Sequence, residues 1–291
     1  MTRALEDSRL RLAVPNKGRL AGPAVTLLRE AGYRFEADDR RLFAPCENFP
    51  LDLLFVRADD IPEYTADGVV DLGITGSNLV EERGRRVTGG VKLGFGHCSL
   101  QVAVPDDRPI TTVTDLAGRS VATSHPHSTA RFFARHQVTV KLIEISGAVE
   151  ITPLLGVADA IVDLVSTGST LAVNGLRAIA TILDSEAHLI SHPQLSPPKA
   201  ERARELETML ASVITARRRK YVMMNAPAGA LDRIKAVIPG MQSPTVMSLA
   251  DPGMIAVHAV VEADQVWALL GPLQAIGATS ILVLPIEKLV P

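Results

Sequence analysis

Two stretches of the chain, ADGVVDLGITGSNLV at 66–80 and ADAIVDLVSTGSTLA at 158–172, repeat one device at a constant offset of 92 residues. In each, an apolar run reaches an aspartate (Asp71, Asp163) and then a cluster of small hydroxylated residues around a glycine. The second copy supplies Ser166, Thr167, Gly168, Ser169 and Thr170. A glycine lets backbone approach an anion, and the first turn of a following helix leaves N–H groups unpaired at its positive end. Hydroxyls add donors, so the combination can cradle a phosphate. Asp163 is badly placed for the phosphate itself and well placed to accept from two sugar hydroxyls, so the pattern suggests a phosphorylated ribose. The same Ser/Thr-Gly-Ser/Thr signature also serves as an ordinary helix cap or turn. Duplication of a scaffold duplicates its caps, so the repeat by itself shows duplication and not function.

A second anion signal is PNKGRL at 15–20, where Lys17, Gly18 and Arg19 fall between a strand and a helix. Two cations beside free N–H groups would hold a polyphosphate; a solvated lysine and a cap by Asn16 is the plainer alternative. Arg57 ends the apolar run LDLLFVR, and ligands gather at the carboxyl edges of α/β sheets, although a surface arginine needs no ligand. Glu144, Glu150, Asp159 and Asp163 are the carboxylates near the second copy. A pyrophosphate there would bring one Mg²⁺, held by few carboxylates and several phosphate oxygens. His125 and His127, in SHPHS, have no carboxylate or cysteine to complete a metal set and are read as loop residues.

These residues need elements to position them. With 291 residues the chain is long enough for two or three domains. Hydrophobic residues make up 47% but aromatics only 4%, so cores must be built from Val, Leu, Ile and Ala, which suits buried strands covered by helices. A formal net charge of -2 offers no basic field for nucleic acid. No apolar run is long enough for a membrane span. Two cysteines make neither a disulfide framework nor a metal motif. The first residues include acidic ones and no apolar h-region, so no signal peptide is expected and the expected location is cytoplasmic.

Strands are expected at LRLAVP, LDLLFVR, VVDLGIT, LGFGHCSLQVAVP (93–105), GRSVATS and VTVKLIEIS. Helices are expected at RLAGPAVTLLREAGY, STARFFARHQ and GAVEITPLLGVADA. The alternation argues for α/β lobes with mainly parallel sheets. After a Pro-rich turn, KAERARELETMLASVITARRRK is helical, and the last 75 or so residues read β-α-β-β-α-β, the ferredoxin-like pattern. The expected division is 1–100 with 185–216 as one lobe, 101–184 as a second lobe carrying the phosphate loop, and 217–291 as a ferredoxin-like domain. Two similar lobes facing each other would each offer one strand-loop-helix edge to a shared cleft.

GAVEITPLLGVADAIVDLVSTGSTL, together with PNKGRL, VDLGITG and DSEAHLI, resembles the ATP phosphoribosyltransferases in their long form. The resemblance runs from residue 10 to the end. It implies two periplasmic-binding-protein-like lobes with a C-terminal histidine-sensing domain, and transfer of phosphoribosyl from phosphoribosyl pyrophosphate (PRPP) to N1 of ATP with Mg²⁺. It implies that Ser166–Thr170 hold the 5-phosphate, Asp163 the ribose hydroxyls, and Glu150 and Asp159 ribose or metal water. It implies that Lys17, Arg19 and Arg57 face pyrophosphate and ATP phosphates, and that Asp71, Thr75 and Gly76 line the opposite wall. Asn225, Thr245, Val260 and Ser280 match the pocket for inhibitory L-histidine, and a dimer-to-hexamer assembly is implied. The family usually shows Tyr at the place of His125 and two basic residues where this chain has Ala130 and Arg131. A two-lobed solute-binding protein and a catalytically impaired regulatory paralogue are the other readings of the same residues.

Overall fold

The computed structural model describes residues 9–37, 41–238 and 243–290. In chain order it contains β1 (Leu10–Pro15), α1 (Ala21–Glu30), β2 (Phe43–Pro45), β3 (Leu51–Val56), α2 (Ile61–Ala66), β4 (Leu72–Gly76) and α3 (Ser77–Arg83). Next come β5 (Cys98–Pro105), β6 (Ser120–Thr123), α4 (Pro126–Arg135), β7 (Lys141–Glu144), β8 (Ala160–Val165), α5 (Ser169–Val173), β9 (Leu176–Ser185), β10 (Ala187–Ser191) and α6 (Pro197–Arg217). The C-terminal part holds β11 (Arg219–Pro227), α7 (Leu231–Val237), β12 (Thr245–Ser248), β13 (Met254–Glu262), α8 (Val266–Ala275) and β14 (Thr279–Pro285). Two units result: one runs to Thr26 and over Tyr33–Ala203, the other takes Leu27–Gly32 and everything from Arg204.

The first unit has two lobes, each around a five-stranded sheet, ordered β10-β4-β1-β3-β2 and β7-β6-β8-β5-β9. The parallel part of each is three strands, β4-β1-β3 and β8-β6-β7. The expectation of mainly parallel sheets is corrected at the flanks. β5 and β10, each the first strand after the chain passes between lobes, lie antiparallel to β8 and β4, while β2 and β9 add antiparallel edges. Aliphatic side chains fill both interiors, with Leu10, Leu12, Leu51, Leu53 and Leu72 fully buried in one lobe and Leu100, Val102, Val121 and Val162 in the other.

Two expected elements are shorter than their apolar content suggested. GAVEITPLLGVADA forms a 3-10 turn at Val149–Ile151 followed by further turns, and no α-helix. Pro153 lacks the N–H a helix needs and Gly156 adopts φ +70°. In 93–105 the strand starts only at Cys98, because Gly94 and Gly96 turn the backbone through φ +71° and +68°.

β4 and β8, the strands of the sequence repeat, hold equivalent places between a central parallel strand and an antiparallel one. Their register differs from the sequence match. Asp71 exchanges hydrogen bonds with the backbone of Arg11, its Oδ2 accepting the Arg11 N–H at 2.9 Å and its own N–H donating to the Arg11 carbonyl. Asp159, not Asp163, does the same with Ser120, at 3.0 Å. The strands open at Leu72 and Ala160, 88 positions apart, while the helices open at Ser77 and Ser169, 92 apart. The difference of four is one further residue in β8 and the three residues Ser166–Gly168 between β8 and α5.

In the second unit the order β12-β13-β11-β14 with two helices is the ferredoxin-like arrangement. Alternation puts Val222, Met224, Ala226, Val257 and Val261 against Ile234 of α7 and Leu269 and Leu273 of α8. Arg217, at the end of α6, pairs with Glu30 of the same unit at 2.7 Å. Among the described residues no helix is long and apolar enough to cross a membrane.

Candidate active site

Carboxyl ends of parallel strands are where α/β sheets gather ligands, and each lobe presents its candidate residues there. In the first lobe β1 and β3 end side by side, and the Asn16 N–H continues the ladder to the Val56 carbonyl at 2.8 Å. Lys17 and Arg19 therefore leave the sheet next to Arg57. All three are exposed and make no ion pair among the described residues. Gly18 between the two loop cations has φ +80°, a conformation that favours glycine.

In the second lobe β8 runs out into Ser166, Thr167 and Gly168, and α5 begins at Ser169. Gly168 is left-handed at φ +76° and no side chain caps the helix. The hydroxyls of Thr167 and Ser169 lie 2.8 Å apart, and Ser166, Thr167, Ser169 and Thr170 are all exposed. This loop presents uncapped N–H groups and a crowd of hydroxyls to solvent, which suits an anion.

Asp163 sits inside β8, beside Gln101 of β5. Burial pushes its carboxyl above the ordinary range, the Leu164 N–H pulls it back, and the negative charge of Glu150 pushes it up again. Glu150 is half-buried in the 3-10 turn Val149–Ile151, reached through Ala148 at φ 49°. Two carboxylates are thus brought together near the 166–170 loop. Among the described residues no group of three or more metal-ligating side chains forms. A cation arriving with substrate oxygens fits such a pair better than a protein cage would.

The other candidate site residues of the first unit lie at the amino ends of their strands or inside the first lobe. Asp159 lies at the amino end of β8, away from the loop. Its Oδ2 takes the N–H and hydroxyl of Ser120 at 3.0 and 2.8 Å, and these bonds hold its carboxyl below the ordinary range. Asp71 lies at the amino end of β4, with both oxygens on Lys199 at 2.9 and 3.0 Å and the Arg11 N–H in addition. Thr75 is fully buried and donates to the Ala58 carbonyl at 3.0 Å. Gly76 is buried, and a Cβ there would run into the Asn78 side chain. The first copy of the repeat is therefore used internally, while the second is open.

What the sequence reading missed is the contact between the lobes. Asn78, His125 and Ser185 are buried, with Asn78 hydrogen-bonded to both of the others, and Glu82 accepts the N–H groups of His127 and Ser128, both at 2.8 Å. Arg131 donates to the Glu81 carbonyl at 2.7 Å. A buried histidine and asparagine carry no sequence period of their own, and only the low-specificity SHPHS pattern hinted at this region.

Family models now decide the identity of the fold. The model described as ATP phosphoribosyltransferase matches residues 57–212, and the HisG C-terminal domain model matches 216–288. The chain belongs to the ATP phosphoribosyltransferase family. A relative of that name from Methanosarcina barkeri is 43% identical, with 97% of this chain and all of the relative covered. One from Gemmatimonas aurantiaca is 45% identical over the same shares. The solved structure of an ATP phosphoribosyl transferase (HisG:HisZ) complex from Thermotoga maritima superposes with TM-score 0.63 at 28% identity, covering 71% of this chain and 98% of that one.

Against this family background the C-terminal residues divide. Asn225, Thr245 and Val260 fall on the sheet face opposite the helices, since Val222, Met224, Ala226, Val257 and Val261 occupy the other. Ser280 instead stands at φ 50° beside the β11–β14 irregularity. It lines a cavity of about 540 Å³ with Trp267, Leu270, Gln274 and Thr279.

Proposed function

We propose that this member of the family transfers phosphoribosyl from PRPP to N1 of ATP, releasing pyrophosphate, the step that commits ATP to L-histidine synthesis. The observation that carries the reading is the open 166–170 loop following the raised carboxyl of Asp163. In the transfer, the C1–O bond to pyrophosphate breaks, its electron pair leaves with pyrophosphate, and the adenine nitrogen forms the new bond to C1. Such a centre passes through an oxocarbenium-like state, so positioning and charge stabilisation do most of the work. Ser166–Thr170 hold the 5-phosphate and Asp163 accepts from the ribose hydroxyls, with Glu150 beside it. Lys17, Arg19 and Arg57 take the pyrophosphate and ATP phosphates. Glu150 and Asp163 are the carboxylates that would meet a Mg²⁺ carried in on the substrate phosphates, and that cation would offset the charge of the departing pyrophosphate. L-Histidine inhibits through the C-terminal unit, at Asn225, Thr245, Val260 and Ser280, in a homo-oligomer that is a dimer or hexamer.

The test is pyrophosphate release from purified protein with Mg²⁺, ATP and PRPP, with and without L-histidine. Release that needs both substrates supports the transfer; release indifferent to histidine removes the sensor while keeping the enzyme. Gly168→Val should raise KM for PRPP about tenfold or more, because a β-branched residue costs about 1–2 kcal/mol in the left-handed region, although the space around Gly168 is open. Thr170→Ala should raise it too, and Ser77→Ala should do less; equal effects would end the division of labour between the two loops. Activity should also fall on acidification earlier than an ordinary carboxylate predicts, since Asp163 must be ionised to accept two hydroxyls and its carboxyl is raised. The same profile in Glu150→Gln should move toward lower pH, the Glu150 charge being one cause of the rise.

A further inference from the structure

At the lobe junction the hydrogen bonds have directions. The Ser185 hydroxyl oxygen receives the Ser77 hydroxyl at 3.1 Å and the Asn78 N–H at 3.0 Å, and gives its own proton to Asn78 Oδ1 at 2.8 Å. This turns Asn78 Nδ2 toward His125 Nε2, 3.1 Å away. An amide nitrogen only donates, so Nε2 accepts, and the ring proton sits on Nδ1, facing the Ser124 hydroxyl at 3.0 Å. Asn78 is 1% exposed, and Ser185 and His125 are each 5% exposed. The chain of bonds spans the lobes: Asn78 is the second residue of α3 of the first, His125 precedes α4 of the second, and Ser185 closes β9 just before the chain passes back.

We infer that His125 is a positioning residue for the transfer. As a neutral acceptor it completes the Asn78–Ser185 chain and sets the gap between the Lys17–Arg19 loop and the 166–170 loop; its protonation loosens that gap. The inference rests on the phosphoribosyl-transfer reading of the cleft. The charged groups acting on the ring are Glu82 and Arg83 of α3, Asp59 after β3, and Arg19 of the anion loop. Burial is the largest influence and disfavours the imidazolium; the two carboxylates oppose it, and the two arginines add to it. A histidine so lowered contributes fully above the ordinary value near 6.5 and loses that contribution as pH falls toward its lowered one. An imidazolium would also set two donors against each other at Asn78.

The experiment compares wild type, His125→Gln and His125→Phe by steady-state pyrophosphate release across about pH 5.5–8.5, together with ¹⁵N-histidine spectra of substrate-free protein. Glutamine keeps a neutral acceptor, so His125→Gln should match wild type at the alkaline end and lose less PRPP affinity than wild type on the acid side, where only the Asp163 contribution remains. Phenylalanine removes the acceptor, so KM should rise about tenfold at every pH with a smaller change in kcat. The spectra should show one histidine, absent from His125→Gln, with Nδ1 protonated and Nε2 bare. An acid limb in His125→Gln identical to wild type overturns the inference, as does an Nε2-protonated tautomer. Wild type that releases no pyrophosphate at the alkaline end overturns the transfer reading, and the positioning role with it.

Discussion

Asp163→Asn is expected to lower kcat/KM for PRPP by about 100-fold and, at the same time, to raise the melting temperature of the ligand-free protein. A hydrogen bond to a charged acceptor contributes about 1.5–3 kcal/mol, and the amide keeps one acceptor where the carboxylate offered two oxygens, so about two powers of ten are at stake. The stability effect has the opposite sign. Burial and the Glu150 charge raise the Asp163 carboxyl above its ordinary value near 3.8. The folded state then holds the proton more tightly than the unfolded one. Stability is full below the ordinary value and falls as pH rises through the raised one, so at neutral pH the ionised side chain weakens the fold. A neutral asparagine removes that cost. Calorimetry and steady-state kinetics on one preparation check both halves, and a variant losing activity and stability together would instead make Asp163 a structural residue.

Asp71→Asn should do the reverse, destabilising the first unit by about 3 kcal/mol or more while leaving KM for PRPP unchanged. The Asp71 and Lys199 side chains are each 12% exposed and pair at 2.9 Å. Losing the charge leaves the ammonium buried with weakened compensation, and the Arg11 N–H loses a charged acceptor. For a unit of this size that corresponds to a fall in melting temperature of about 6–12 °C. The double variant Asp71→Asn with Lys199→Met should recover part of the loss, since no charge is then stranded. A large rise in KM for PRPP would return Asp71 to the cleft, where the sequence reading had put it.

These two aspartates mark the limit of what the repeat could say. Matched by sequence, Asp71 and Asp163 look like one residue duplicated. Matched by their bonds to the central strand, Asp71 and Asp159 are the pair, and Asp163 takes the strand place of Thr75, ahead of the loop that the first copy lacks. Local identity follows the small residues that begin both helices, whereas sheet register follows backbone pairing that local identity cannot see. His125 was passed over for a related reason: whether a histidine is a loop residue or a buried acceptor depends on Asn78, 47 positions away.

By itself the sequence determined the alternation of strands and helices in the two lobes, the ferredoxin-like C-terminal pattern, and the loops that leave β1 and β8 with Lys17, Arg19 and Ser166–Thr170. Those are properties of short windows, where periodicity, Gly and Pro, and helix-starting residues act locally. Tertiary structure alone decided which copy of the repeat stays open, which aspartate lies half-buried beside Glu150, and which polar side chains join the lobes. Each of those outcomes is set by long-range pairing and by which neighbour claims a donor or acceptor first.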